Sequence, residues 1–342
     1  MEPSIPAKEQ FSGCLVAQCI GDALGFPVEG TGPGVCEEYV RSRLRAAERR
    51  LAMPPSSFGQ YSDDSQLARE LLQSYVGLGR FDAADYAARI AAIFREGRIV
   101  GRGRATSEAA ERLIRGTFWT EAGTPPPSAG NGSAMRAAPI GLMFWDDPER
   151  MLSAAHDQGR ITHQDPRCSA GAVAVAGAVA LALRGTIDRE GWVRQLGHWV
   201  DGFDPVLGDG IRHLADLTRA SPRQALPVIR SFGCAADYDN GWLGISPFVT
   251  QSVLWSLYSF LRQPEDYRAT IRCAIAVGGD VDTTAAMAGA ISGAYLGLDA
   301  LPMDLAASLT DRGTWELAQL VQLAHRCHAI KHDESSFDAS VG

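Results

Sequence analysis

The sequence has few of the patterns that are typical of β-strands or of disulfide-bonded proteins. Alternation of apolar and polar residues is rare over its 342 residues, whereas apolar residues spaced by three or four positions are frequent. The 7 cysteines are an odd number, are scattered and form no Cys-x-x-Cys pair. Such cysteines are typical of small core residues, and we therefore expect a protein of a reduced, cytoplasmic compartment.

Long apolar segments and an excess of positive charge are also missing. The apolar run at residues 170–183 is shorter than the roughly 20 residues that a membrane helix needs, and the acidic, proline-containing N-terminus does not resemble a secretion signal. The net charge is −8, which argues against general nucleic-acid binding. The basic run at residues 41–50 is typical of a solvated helix face, with a partner or nucleotide contact as the alternative. We expect a monomer without a membrane segment.

Helical patterns, by contrast, follow one another along the whole chain. Several of them begin with proline in the first turn, where its missing N–H costs nothing. The predicted helices are 12–24, 37–52, 63–78, 82–95, 106–115, 133–144, 148–157, 166–183, 189–200, 210–218, 222–230, 247–261, 264–277, 282–296, 302–309 and 314–330. We expect one all-α domain over residues 10–332, disordered ends at 1–9 and 333–342, and a site-lining loop at 117–132.

Two acidic clusters stand where predicted helices begin. Asp63 and Asp64 follow Ser62, and more than 200 residues later Asp280 and Asp282 follow two glycines. Each cluster alone is explained by helix capping, because acids in the first turn interact favourably with the helix dipole. If the two clusters meet, however, four carboxylates share one pocket and repel one another unless a hard cation such as Mg²⁺ is bound. We therefore predict a metal site built on two helix N-termini.

Three further segments carry groups that could serve a site. Asp22 lies inside an apolar helix, where a structural hydrogen-bonding role is more common than catalysis, and Glu29 lies on the turn that follows. The glycine-rich segment 130–136 runs into a predicted helix and could present N–H groups to an anion, although it matches neither a Walker A motif nor a Rossmann fingerprint. His163 precedes another predicted helix, a position in which histidine is more often structural.

Taken together and in this order, the five segments resemble the ADP-ribosylglycohydrolase family, which includes dinitrogenase-reductase-activating glycohydrolase and the ADP-ribosyl-acceptor hydrolases. The resemblance covers about residues 10–300. It implies a compact orthogonal bundle of helices around a central cleft that holds two Mg²⁺ ions, with Mn²⁺ as an alternative. The implied metal ligands are Ser62, Asp63, Asp64, Asp280, Asp282 and Thr283. The first acidic motif ends in Ser65, where many relatives have threonine.

The resemblance also implies a reaction, the hydrolysis of the bond between C1″ of ADP-ribose and a protein side chain. The partners would be an ADP-ribosylated protein or another ADP-ribose conjugate, with ADP-ribose as the product; arginine is favoured as the acceptor and serine is possible. Glu29, Asp282 and Asp64 are the candidate catalytic acids and bases. The implied substrate-binding residues are Gly130, Asn131, Gly132, Ser133 and Met135, together with His163 near the ribose or phosphate and Phe248 at the adenosine.

Two groups of alternatives remain open at this point. Within the family, the chain could be a non-catalytic ADP-ribose binder or structural protein, or a hydrolase of O-acetyl-ADP-ribose or another conjugate. Outside it, a helical phosphohydrolase would require histidine partners for its acids, and a terpene-synthase-like site would require Asp-Asp-x-x-Asp. The sequence has neither, because His163 is followed by Gln164, and Asp64 is followed by Ser65, Gln66 and Leu67.

Overall fold

The computed structural model describes residues 5–48, 58–185, 187–234 and 241–338, and within these ranges the chain forms helices and no β-strand. The prediction of an all-α fold is therefore confirmed. The helices are α1 (Lys8–Gly25), α2 (Pro33–Glu48), α3 (Asp63–Leu78), α4 (Ala83–Arg95), α5 (Arg104–Ile114), α6 (Ala138–Met143), α7 (Pro148–Arg160), α8 (Pro166–Ala182), α9 (Arg189–Asp201), α10 (Pro205–Leu217), α11 (Pro222–Ser231), α12 (Val249–Arg262), α13 (Tyr267–Ala276), α14 (Val281–Leu296), α15 (Met303–Ala306) and α16 (Leu317–Asp338).

Several predicted helix starts differ from the structure by up to about five residues, and in three cases a local signal explains the difference. The predicted helix 133–144 is broken: residues 131–133 form a 3-10 turn, and α6 begins only at Ala138, where Pro139 favours a new first turn. Helix α10 begins at Pro205 rather than residue 210, because Asp204 caps it. Helix α13 begins at Tyr267 rather than residue 264, because Asp266 accepts a hydrogen bond from its first turn.

The chain ends are more helical than predicted. Helix α1 already begins at Lys8, and the backbone of α16 continues to Asp338, so the helices extend into both ends at residues 8–9 and 333–338. The disorder of these ends stays a prediction. The predicted disorder of residues 1–4 and 339–342, the predicted helix end at residue 52 and the side chains of the basic run beyond residue 44 lie outside the described residues. By length and composition, Lys8–Val28 is apolar and long enough to cross a membrane. However, 89% of its apolar 18-residue window is buried inside the fold, as expected of a core helix.

The core is organised around α1 and α14, which run antiparallel in direct backbone contact. A Cβ atom on Gly13 would stand 2.5 Å from the carbonyl oxygen of Gly293, and one on Gly21 would stand 2.2 Å from that of Ala285. At the far end, a Cβ on Gly25 would stand 2.4 Å from the Cα of Asp282. Only glycine permits this approach, and it places the end of α1 against the beginning of α14.

We predict that Gly21→Ala destabilises the protein by at least 1–3 kcal/mol (an order-of-magnitude value for overpacking), because the new methyl group would clash with the backbone of α14. Gly34→Ala is the matched control, since a Cβ there meets nothing within 4 Å. Because alanine is the better helix former, this control should be unchanged or stabilised by up to about 1 kcal/mol. Urea unfolding of both variants measures the difference, and equal stabilities would refute the role assigned to the contact.

Candidate functional site

A cavity of about 1080 Å³ opens at the point where α1 ends and α3 and α14 begin. Its volume is at the upper end of the range of small-ligand sites, roughly 300–1,000 Å³. Of the loop predicted at residues 117–132, residues 127–132 line the cavity. The cavity brings together most of the residues singled out in the sequence: Glu29, Asp63, Asp64, Gly130, Asn131, Gly132, Met135, His163, Phe248, Asp280, Asp282 and Thr283.

The beginning of α3 is fixed by a carboxylate from α1. Asp22 is fully buried and accepts hydrogen bonds from the backbone N–H of Ser62 at 2.9 and 3.0 Å and from that of Ser65 at 3.0 Å. Burial raises the pKa of Asp22 to about 6, although these hydrogen bonds lower it. Asp22 is thus the structural hydrogen-bonding residue that the sequence favoured. It positions Asp63 and Asp64 at the cavity instead of lining it.

Two predicted site residues, Ser62 and Ser133, lie behind the cavity wall. The Ser62 hydroxyl lies 3.0 Å from Asp64 Oδ2, to which it donates a hydrogen bond. The Ser133 hydroxyl donates to the carbonyl oxygen of Cys168 at 2.8 Å, and Ser133 is fully buried. Neither side chain lines the cavity, since a short polar group at a helix start is readily used by its own neighbours.

The beginning of α14 is held by glycine-dependent backbone pairing. Gly279 has a φ of 90°, and a Cβ on it would stand 2.0 Å from the carbonyl oxygen of Ile245. The backbone of Gly279 exchanges hydrogen bonds with the turn after Glu29, at 2.8 Å from Gly30 and 3.0 Å to Thr31, while the N–H of Asp280 donates to Ile245 at 2.8 Å. The glycines therefore allow three chain segments to meet at the cavity.

Glu29, Asp280 and Asp282 form a carboxylate cluster in which each residue offers an oxygen within 4.8 Å of the others. Burial raises the pKa of Asp282 well above its usual value, and the charges of Asp64 and Asp280 raise it further. Much of Glu29 is exposed, but its carboxyl group lies against the cavity wall, where partial burial and the charge of Asp280 raise its pKa. The cluster is unfavourable when every member is ionised.

The carboxylates of Asp280 and Asp282, together with those of Asp63 and Asp64 in the same cavity, are a donor set that fits a divalent cation. Burial, followed by the nearby acids, raises the pKa of both Asp63 and Asp64 well above the usual value. The Oδ1 atom of Asp64 is buried and has no hydrogen-bond partner in the described part of the chain. Carboxylate oxygens without partners are the ligands that Mg²⁺ and Mn²⁺ prefer, and a bound cation would remove the repulsion.

The glycine-rich loop connects this acidic end of the cavity to its other end. The side-chain amide of Asn131 donates to Asp280 Oδ2 at 2.5 Å, and its backbone N–H donates to the carbonyl oxygen of Pro247 at 3.0 Å. The next residue, Phe248, lines the far end, with the guanidinium of Arg167 5.5 Å from the centre of its ring. Asp165 holds Arg167 through hydrogen bonds of 2.7 and 2.8 Å.

Several residues that line the cavity lie outside the sequence motifs and were not predicted as site residues. They are Arg102, Arg104, Arg167 and Trp242. The available signal was the segment Gly101-Arg102-Gly103-Arg104, in which two arginines alternate with glycines immediately before a helix. A segment of this kind also occurs in ordinary loops, so its pattern alone does not indicate a site.

The raised carboxyl pKa values predict how stability depends on pH in the absence of metal. A carboxyl group whose folded pKa exceeds its unfolded value of about 4 stabilises fully below that value and loses its contribution as pH rises through the folded pKa. In EDTA, Asp64→Asn should therefore become more stable relative to the original protein as pH rises from 5 to 8. Folding raises the proton affinity of the Asp64 carboxyl group. Each tenfold increase should add about 1.4 kcal/mol to the gain in the free energy of unfolding.

Urea unfolding of both proteins at three pH values measures this difference. The histidines with lowered pKa contribute to stability in the opposite direction, but both proteins contain them, so their contribution cancels in the comparison. Asp216→Asn is the control, since the Asp216 side chain is 91% exposed. An advantage of Asp64→Asn that is constant or shrinks with rising pH would contradict the buried repulsion.

The chain is similar in sequence and in fold to known proteins. The family model described as ADP-ribosylglycohydrolase matches residues 3–335. ADP-ribosylhydrolase ARH3 of Homo sapiens is 30% identical over 345 aligned positions, which cover 93% of this chain and 93% of that protein. ADP-ribosylarginine hydrolase Tri1 of Pseudomonas putida is 26% identical over 86% of this chain and 73% of its own length. A solved structure titled ADP-ribosylglycohydrolase-related protein complex has a TM-score of 0.67 and 26% identity, over 95% of this chain and 98% of that one.

Proposed function

We propose that the chain, which belongs to the ADP-ribosylglycohydrolase family, is a metal-dependent hydrolase. It would remove ADP-ribose from modified protein side chains. The observation that carries the proposal is the meeting of Glu29, the pair Asp63 and Asp64, and the pair Asp280 and Asp282 in one cavity of about 1080 Å³. Three separate segments supply these acids, which cost stability in the absence of a ligand. A cation and a sugar conjugate are the ligands that such a cavity fits.

The ions would be held by Asp63, Asp64, Asp280, Asp282 and Thr283. Ser62 would join them only by giving up its hydrogen bond to Asp64. When bound, Mg²⁺ or Mn²⁺ would supply positive charge that binds the hydroxyl groups of the distal ribose and favours ionised water. The glycine-rich loop 130–132 would present its backbone to the diphosphate, and Phe248 would pack against the adenine.

The acids of the chain would then assist cleavage at C1″. As the acceptor departs, C1″ becomes positively charged, and nearby carboxylates stabilise that charge. Glu29 is the proposed general base: it takes a proton from water as the water oxygen bonds to C1″ and the bond from C1″ to the acceptor breaks. It then passes this proton to the departing nitrogen or oxygen of the acceptor, so that the elements of water are added across the broken bond. Its raised pKa makes the carboxylate a stronger base.

Arginine is the acceptor that we favour, with serine as the second candidate. Glu29 lies where the cavity meets solvent, and a negative charge at that place favours a positively charged guanidinium leaving group. The name of the Pseudomonas putida relative, an ADP-ribosylarginine hydrolase, supports the same choice. O-acetyl-ADP-ribose and other conjugates would occupy the same ADP-ribose subsite. They would differ only in the leaving group beside Glu29.

We predict that arginine-ADP-ribosylated peptide releases ADP-ribose in Mg²⁺ and not in EDTA, and that Asp282→Asn lowers the rate by at least about 100-fold. Release is measured by chromatography of the product. Asp216→Asn is the control, since this exposed acid on α10 does not line the cavity, and it should be fully active. Serine-ADP-ribosylated peptide tested in parallel decides the acceptor. If Asp282→Asn retains normal turnover, the site assignment is wrong.

A second prediction concerns Glu29. If Glu29 is the general base, Glu29→Gln should lower kcat by about 10²- to 10⁴-fold, because the water loses its proton acceptor while the shape of the cavity is kept. Affinity for ADP-ribose, measured by calorimetry, should change by less than about threefold, since Glu29 is not needed to hold the product. A loss of affinity as large as the loss of kcat would instead make Glu29 a binding residue.

A further inference from the structure

Arg136 is a buried cation that makes no ion pair with any described residue. Its side chain is fully buried, and its Nε and Nη2 atoms donate to the side-chain and backbone oxygens of Gln158, both at 3.0 Å. Its Nη1 atom has no hydrogen-bond partner in the described chain. The ring of Tyr86 lies 5.7 Å from the guanidinium carbon. Burying a charge without a carboxylate partner is costly, so the contacts that Arg136 does make call for an explanation.

One of these contacts determines the orientation of a hydroxyl group. Arg136 Nη2 lies 2.7 Å from Thr162 Oγ1, and a guanidinium can only donate, so this oxygen is the acceptor. Thr162 Oγ1 also lies 2.8 Å from Nδ1 of His163. The hydroxyl proton of Thr162 has no other acceptor within the described residues. It must therefore point at His163, because the opposite arrangement would leave a buried donor unsatisfied.

This hydroxyl proton determines the state of the imidazole. Since His163 Nδ1 accepts the hydrogen bond, the ring proton must be on Nε2. Burial and the charge of Arg136 lower the pKa of His163 to about 3, so the ring is neutral at ordinary pH. The backbone of the glycine-rich loop lies close to the ring: a Cβ on Gly132 would stand 2.7 Å from its Cε1 atom, too close for any other residue, and one on Gly130 would be in ordinary contact at 3.6 Å from Nε2. His163 lines the cavity beside the loop that contains both glycines.

We propose that Arg136 and Thr162 are positioning residues that fix His163 as a neutral imidazole with its proton on Nε2, and that this N–H donates a hydrogen bond to a phosphate oxygen of bound ADP-ribose. The identity of the ligand rests on the proposed function, whereas the assignment of the tautomer does not. The arrangement provides a donor of fixed direction that carries no charge. It therefore recognises an oxygen by geometry and adds no positive charge to a cavity that must also hold cations.

The test is the side-chain ¹⁵N spectrum of the whole protein labelled at histidine, with His163→Asn used to assign the signal. In the original protein, Nε2 should carry the proton and Nδ1 should not, from pH 5 to pH 8. Thr162→Ser keeps the hydroxyl and should keep this tautomer. Thr162→Val keeps the shape but removes the hydroxyl, and should give a mixture of tautomers. Melting temperatures establish that both variants are folded.

Calorimetry with ADP-ribose supplies a second readout. Because the ligand binds only the tautomer with its proton on Nε2, an even mixture of tautomers in Thr162→Val should weaken binding by about twofold, while Thr162→Ser should leave the affinity unchanged. On binding, the Nε2 signal of the original protein should shift. A proton on Nδ1 in the original protein would overturn the proposal even if Thr162→Val failed to fold, as would a folded Thr162→Val with unchanged tautomer and affinity.

The two proposals fail in different ways. If the original protein does not bind ADP-ribose, the proposed function fails and the phosphate contact fails with it, while the ¹⁵N spectrum still decides the tautomer of His163 and the role of Thr162. If ADP-ribose binds and the Nε2 signal does not shift, only the phosphate contact is refuted.

Discussion

The rest of the structure depends on the contact between the backbones of α1 and α14. Glycines at Gly13, Gly21 and Gly25 remove the side chains that would otherwise separate the two helices, and the antiparallel pairing brings the end of α1 to the beginning of α14. Asp22 then reaches across to hold the beginning of α3, and the turn carrying Glu29 pairs with the glycines before α14. The position of the acids at the cavity therefore follows from core packing.

The cavity itself opposes folding in the absence of ligands. Burial raises the pKa of Asp63, Asp64 and Asp282, which means that their ionised forms are poorly solvated and repel one another. The histidine end of the cavity has the opposite character, because Arg136 lies buried behind His163 without a carboxylate partner. One cavity thus separates an acidic end that fits cations from an end with the neutral ring of His163 and the guanidinium of Arg167, as a ligand with a sugar and a diphosphate requires.

Much of the fold and part of the site could be predicted because the signals are local. Helix α3 begins where Ser62 and the following acids predict, and the two acidic clusters do lie in one cavity. The directions of short side chains could not be predicted, since Ser62 and Ser133 bond to groups that only the folded chain brings near. The link from Arg136 through Thr162 to His163 was missed for the same reason, because it spans 27 residues and follows no periodic pattern.

The central claim is that the two acidic helix starts form one metal site, and anomalous diffraction from crystals grown with Mn²⁺ tests it most directly. Our account predicts anomalous peaks in the cavity between the two pairs of acids, within about 2.6 Å of carboxylate oxygens of Asp64 and Asp282. Peaks elsewhere on the protein, or none in the cavity at millimolar Mn²⁺, would contradict the account.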